Sequence, residues 1–314
     1  MSTQVLQKRD ELARAGLTIV VRGISTGSHG ATLETTASSG VDLAACLRAC
    51  REGESWRLPE GSTPVHTTEE LLDSATSLKL QLDAVLEAIP ANFATGEPAL
   101  SYLRQAINDL GCHAITASKG PVLHGVQELE AAADAMGKRF LFESSVMDGI
   151  PVFSFLRAMP GVAVRSFEGI LNSTTNIILT EMEDRQCTFD EALQKAQDEG
   201  IAERDPTGDI DGHDAATKVA VLSAVVLGSD GAAAVSAIST AGIGHVSLDD
   251  INAAAERRER LKLICSCARA ADGTVSGKVI PEILFACPTN PCSIALTSIA
   301  VPYDSVASML NRIA

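Results

Sequence analysis

The chain has 314 residues, 46% of them hydrophobic and 4% aromatic, and 40 acidic against 25 basic side chains leave a net charge of −15. That length holds two modest domains or one large one, and a core of Ala, Val, Leu and Ile is typical of a soluble α/β protein. The acidic excess argues against a nucleic-acid partner, whose phosphates need Lys and Arg, and against docking on an anionic membrane surface; a small zwitterionic substrate stays open.

The N-terminus begins with a polar helical stretch, LQKRDELARAG, and not a signal peptide. Residues 5–15 read as a helix, and 17–24 (LTIVVRGI), continuously apolar and β-branched, as a buried strand. Short helices follow at 41–51 and 67–74. The run 80–89 (LQLDAVLEAI) fits either element and is taken as a strand because one is due. A helix at 97–110, a strand at 112–117 (CHAITA), a helix at 126–136 and a strand at 139–143 (RFLFE) complete this half. Strands alternating with helices predict a parallel, doubly wound sheet.

Past Glu143 the texture changes. Residues 162–171 (VAVRSFEGIL) read as a longer strand, and helices are expected at 175–183, 188–199 and 214–227. The second opens on Thr188 and Glu191 in capping-box spacing. The third is apolar nearly all round and should be a buried helix stopped by Gly228. A last helix is expected over 248–271. No segment is an unbroken apolar run long enough to span a bilayer. The eight cysteines form no CxxC pair and read as reduced thiols of a cytoplasmic protein, and the six histidines lack zinc spacing. The domain boundary falls near Gly137: a nucleotide-binding domain over 1–137, a substrate-binding, catalytic and dimerisation domain over 138–285, and a segment over 286–314 returning to the first.

Chemistry concentrates in 199–218, EGIAERDPTGDIDGHDAATK. Glu203, Asp205, Asp209, Asp211 and Asp214 crowd together, and on a helix Lys218 shares a face with Asp214, one turn away. A solvated ion pair would explain that spacing equally well. However, Lys218 leads directly into VAVLSAVVL, so it stands at the rim of a core, where burial and carboxylates can tune an amine for proton transfer.

Longer stretches carry a resemblance. GILNSTTNIILTEME, TFDEALQKAQDEGIAERDPTGDIDGHDAATKVAVLS, EAIPANFATGEPALSYLRQAI, ITASKGPVLHG and ESSVMDGIPVFSFLR together resemble homoserine dehydrogenases, densely over 80–228. The resemblance implies a reversible NADP- or NAD-dependent reduction of aspartate 4-semialdehyde to homoserine, in the synthesis of threonine, methionine and isoleucine. It implies Lys218 as proton donor, Lys119 as second active-site lysine near the nicotinamide, and Asp214 as the carboxylate that contacts substrate and orients the lysine. Glu203 and Asp209, with Asn172, Ser173 and Thr174 of the NSTTN turn, fall at substrate-binding positions. Ile89, Ser118 and Lys119 fall at cofactor positions. Glu143, Val146, Asp148 and Ile150 fall where the family binds a monovalent cation, Na or K, largely through backbone carbonyls. A homodimer formed through the substrate domain is also implied.

Some family features have no match here. The first strand and its glycine-rich pyrophosphate turn have no counterpart before LQKRDELARAG, so the expected fold is an incomplete doubly wound, Rossmann-like sheet plus an α+β substrate and dimerisation domain. The glycines of GISTGSHG have the wrong spacing to replace that turn and read as a flexible loop. Ser118 stands for the usual Asn, Ile89 for the usual Thr, and residues 297–314 lack the family's Gly-Pro-Gly-Ala-Gly stretch. The alternative to an enzyme is a non-catalytic homologue that binds a small amino acid or serves as an interaction protein.

Overall fold

The computed structural model describes residues 2–36, 40–54, 56, 65–159 and 161–285; the segment 286–314 lies outside them. By internal contacts the chain forms two units: Met1–Pro90, Glu97–Thr116 and Gln127–Leu141 in one, and Ala91–Gly96, Ala117–Val126 and Phe142–Ala314 in the other.

The first unit starts with α1 (Ser2–Gln7) and α2 (Arg9–Arg14), interrupted at Lys8, and then β1 (Gly23–Thr26) and β2 (Gly30–Leu33). These two strands form an antiparallel hairpin, Thr26 facing Gly30. The expected strand over 17–24 is therefore mostly wrong. Residues 17–20 form no strand, and Leu17, Ile19 and Val20 are exposed. The β-branched run gave the right local propensity, but a strand exists only where a ladder partner lies beside it, and here that partner begins at Leu33 opposite Gly23. GISTGSHG is not a flexible loop: it comprises strand β1, the turn at 27–29 and the first residue of β2, Gly30, which lies in the left-handed region.

Helix α3 (Leu43–Glu52) is capped by Asp42, whose carboxylate accepts from the amides of Ala44 and Ala45. α4 (Thr68–Ser77) is capped by Thr67. The ambiguous run at 80–89 is indeed a strand, β3 (Ala84–Glu87), and after α5 (Ala99–Asn108) comes β4 (His113–Thr116). Helix α6 (Lys119–Ala135) starts seven residues before its apolar periodicity suggests. β5 (Phe140–Leu141) is two residues long, shorter than RFLFE predicts. The three strands form a parallel sheet in the order β3-β4-β5, with α5 packed on β3 and β4. This is the doubly wound texture expected, in short form.

The second unit holds α7 (Ser144–Met147), α8 (Val152–Arg157), β6 (Ser166–Gly169), α9 (Ser173–Arg185), α10 (Phe189–Asp198), α11 (Thr207–Ile210), α12 (His213–Val226), α13 (Gly231–Ala237), β7 (Ile238–Thr240), α14 (Leu248–Glu256), β8 (Glu259–Arg269) and β9 (Val275–Phe285). The capping box forms at Thr188 and Glu191. α12 buries nearly its whole length and ends before Gly228, which takes a positive φ. Each fully buried Val or Leu of such a helix contributes about 1.5–3 kcal/mol.

Two expectations fail here. The strand predicted over 162–171 shrinks to β6, because the chain still turns at Met159–Val162 and pairing with β8 begins only at Arg165. The helix predicted over 248–271 ends at Glu256. The rest is β8, which pairs antiparallel with β9 along eleven residues; Asp272 and Gly273 form the turn between them. The sheet order is β6-β8-β9-β7, with α9, α12 and α14 packed on β8. Among the described residues no helix is long and apolar enough to cross a membrane.

Candidate active site

The acidic segment and the NSTTN turn converge inside the second unit. Asn172 caps α9: its Oδ1 accepts from the Thr175 amide at 2.9 Å, satisfying an otherwise orphaned helix donor. Its own Nδ2 donates to Asp209 Oδ1 at 2.6 Å and to Asp214 Oδ2 at 3.3 Å. One buried amide therefore ties the start of α9 to both carboxylates. Asp209 rides on the short helix α11 and Asp214 on the first turn of α12.

The turn between those helices is held by backbone contact. Gly212 has φ +80°, and Ile243 donates its amide to the Ile210 carbonyl at 2.8 Å. A Cβ on Gly242 would stand 2.2 Å from that same carbonyl oxygen, so no side chain fits there.

Lys218 follows Asp214 by one helical turn, as the sequence predicts. Its ammonium lies 2.9 Å from Asp214 Oδ2 and donates to the Leu171 carbonyl at 2.9 Å. Lys119, the first residue of α6, places its ammonium 3.4 Å from Asp214 Oδ1. Asp214 is thus bracketed by two lysines, each of the three side chains being no more than 26% exposed. Burial pushes the Asp214 carboxyl up, but the charges of Lys218 and Lys119 and the hydrogen bonds from Lys218 and Asn172 outweigh it and hold the group below the usual carboxylate range. Asp214 is therefore an anion at neutral pH. With Asp209 the cluster sets two lysines beside two carboxylate side chains.

Beneath this cluster lies Cys265 of β8, fully buried. Burial raises its thiol to about 11, against the lowering effects of a hydrogen bond from the Leu171 backbone and the charge of Lys218. The backbone of Leu171 thus engages Cys265 as well as Lys218.

The remaining expected positions divide. Thr174 is buried in the first turn of α9, whereas Ser173 beside it is exposed. Glu203 is exposed and stands apart from the hydrogen-bonded cluster; its backbone carbonyl accepts from Gln197. Ser118 is buried just before Lys119. In the first unit, Ile89 donates its amide to Glu87 Oε1 at 2.7 Å, and the Thr116 hydroxyl donates to the same buried carboxylate; both lie at the carboxyl ends of adjacent parallel strands. That is where doubly wound sheets bind nucleotides, so the described residues offer positions for a nicotinamide. They contain no glycine-rich turn for a pyrophosphate.

Around the proposed cation positions, Glu143 uses both carboxylate oxygens on α8, accepting from the amides of Phe153 and Ser154, and pairs with Arg157 at 3.1 Å. Val146 is buried, Asp148 takes φ 50°, and Ile150 is exposed. Among the described residues no group of three or more His, Cys, Asp or Glu side chains could hold a metal.

Sequence reasoning included Thr175 in the NSTTN turn without its buried hydrogen bond to Asn172, and missed the carbonyl of Leu171 and Phe93, whose ring faces Lys119. Asn172 followed by Thr175 is N-cap spacing and could have revealed that bond.

The chain is similar to proteins of one known family. The family model for homoserine dehydrogenase matches residues 151–301. The NAD(+)-dependent homoserine dehydrogenase of Pseudomonas canavaninivorans is 38% identical over 272 residues, 86% of this chain and 73% of that protein. The homoserine dehydrogenase of Sulfurisphaera tokodaii is 37% identical over 186 residues, 59% of this chain and 57% of that one. Among solved structures, that of the Staphylococcus aureus homoserine dehydrogenase at pH 6.0 superimposes with a TM-score of 0.64 at 27% identity, covering 90% of this chain and 62% of that one. A putative homoserine dehydrogenase from Archaeoglobus fulgidus, 23% identical, shares the fold with a TM-score of 0.74 over 99% of this chain and 94% of that one.

Proposed function

Since the chain belongs to the homoserine dehydrogenase family, we propose that it interconverts L-homoserine and L-aspartate 4-semialdehyde with a nicotinamide dinucleotide, within the synthesis of aspartate-derived amino acids. The observation that carries this reading is the bracketing of Asp214 between Lys218 and Lys119. Bound NAD or NADP supplies or accepts the hydride. The chain's own residues manage the proton and the charge. Lys218, its ammonium held in place by Asp214 and the Leu171 carbonyl, gives a proton to the oxygen of the aldehyde as that oxygen becomes an alkoxide, and takes it back in the reverse direction. Lys119 presents a second ammonium toward the same developing negative charge, and its position is fixed before reaction by Asp214. Asp214 stays ionised throughout and holds both lysine side chains in place.

Asp209 and Glu203, both carboxylates, suit a substrate ammonium, and the NSTTN turn, through Ser173 and Thr174, suits a substrate carboxylate. Ile89 of the first unit and Ser118 of the second are each assigned to the cofactor by family resemblance. Backbone carbonyls around Val146, Asp148 and Ile150, with Glu143, hold a sodium or potassium ion in this reading, and the functional form is a cytoplasmic homodimer. A non-catalytic binding protein is not favoured, because the matched relatives carry the enzyme's name.

The test is homoserine oxidation followed at 340 nm with NAD⁺ and with NADP⁺, alongside calorimetric titration of each. Turnover with either cofactor is expected. An absence of both turnover and binding at millimolar dinucleotide would sink the proposal.

A further inference from the structure

The six-residue stretch Ala91–Gly96 clusters with the second unit, although its neighbours on both sides belong to the first. It is closed on itself: Asn92 Oδ1 accepts from the amides of Ala94 and Thr95 at 3.0 and 3.3 Å, and the Gly96 amide donates to the Asn92 carbonyl at 2.9 Å. It is also pinned to the first turns of α6. His124 Nε2 lies 2.8 Å from the Phe93 carbonyl oxygen; that oxygen can only accept, so Nε2 carries the proton. A Cβ on Gly120 would stand 2.6 Å from the Asn92 carbonyl oxygen, so the close approach requires glycine there.

The backbone on both sides of Phe93 is therefore fixed, yet the residue is left 44% exposed. An immobilised backbone that presents an aromatic face outward has a use if something must rest on that face. The Lys119 ammonium does, 5.6 Å from the ring centroid, with Asp214 Oδ1 3.4 Å from the same nitrogen. A lysine has four rotatable side-chain bonds and a strongly hydrated head. One carboxylate contact at 3.4 Å restrains it loosely; an aromatic face on another side adds an attraction without offering an acceptor that would compete with substrate oxygen.

We propose that Phe93 is a positioning residue: its ring face, acting through Lys119, keeps that ammonium at Asp214 and directed into the site. The inference rests on the function proposed above for Lys119. Tyr or Trp at position 93 keeps a π-face, Leu keeps apolar bulk without one, and fluorinated phenylalanines weaken the face at nearly constant shape.

Two readouts test it. In ¹³C-lysine-labelled protein, the ε-methylene signal of Lys119, identified through Lys119→Arg, is expected to be displaced upfield by the ring current. The displacement should persist in Phe93→Tyr and vanish in Phe93→Leu. In turnover, Phe93→Leu is expected to lower kcat about 2- to 5-fold, the range of a partly exposed cation–π contact, with KM for homoserine unchanged. Fluorination of the ring should lower kcat stepwise, and Phe93→Tyr should restore it. An undisplaced signal in the parent protein overturns the proposal. So does a KM rise at constant kcat, which would make the ring a wall of the substrate pocket, or an equal loss in the Tyr and Leu variants, which would make it ordinary packing. If no turnover is seen with either cofactor, the proposed activity fails while the spectrum still decides the role of Phe93.

Discussion

The two units use their polar and apolar groups differently. In the second, a buried polar pair leads to the charged groups: Asn172 and Thr175 are each nine-tenths buried or more and hydrogen-bonded to each other, and Asn172 reaches a carboxylate bracketed by two lysines. In the first, the described parallel strands are two to four residues long, β3 pairs on one side with β4, and Leu86 of that strand is half exposed, as is Leu17 earlier in the chain. Charged chemistry needs a network in which every member is held, and that network is assembled within one unit from three separate stretches of chain. A sheet that positions a ligand at its strand ends needs less internal wiring, and the polar contacts there are local, such as Glu87 with Ile89 and Thr116.

The largest expected effect tests whether the second unit owns the chemistry. Lys218→Met should lower kcat by about 10²–10⁴-fold, the usual contribution of a positioned acid or base, while calorimetry shows the dinucleotide affinity unchanged. A variant with near-normal turnover would remove Lys218 from the mechanism and dissolve the contrast between the units.

A smaller effect concerns the floor of the site. Burial raises the thiols of both Cys265 and Cys267 to about 11 from a usual 9.0. As pH rises past 9, the unfolded chain ionises these thiols while the folded one keeps them neutral, so stability falls between pH 9 and about 11. The loss is up to about 2–3 kcal/mol per thiol. Urea midpoints at pH 8 and pH 10.5 should therefore differ less in a Cys265→Ala, Cys267→Ala double variant than in the parent. Identical pH slopes would show that other groups set the alkaline limit.

The smallest effect belongs to the first unit. Leu86→Lys, at an exposed apolar position on β3, should change unfolding free energy by no more than about 0.5 kcal/mol and raise solubility. A loss of several kcal/mol would mean that this surface is covered by something in solution.

What was legible in the sequence follows the range of the interactions. Asp214 and Lys218 could be paired from spacing alone, because a helix fixes the geometry of residues four apart, and the Thr188–Glu191 cap is equally local. The positions of Lys119 and Asn172 came from resemblance, since nothing local says that residues 119, 172 and 214 meet. The strand expected over 17–24 and the helix expected over 248–271 failed for one reason: strand or helix was assigned by composition, whereas β1 and β8 exist where β2 and β9 lie alongside. The Asp272–Gly273 turn was a readable signal for the second hairpin. Phe93 gave no signal, because its meaning depends on a contact with Lys119 that spans 26 residues.

The path of the chain through the second unit limits how it can be recombined. Ala91–Gly96 and Ala117–Val126 cluster with residues that come much later, and Lys119 arrives on one of them. A gene cut near codon 137 would leave one of the two lysines that bracket Asp214 in the upstream product. Exchange between relatives that preserves the charge cluster must carry codons 91–126 together with the downstream half, so the unit of inheritance for this chemistry is larger than a tidy two-domain division suggests.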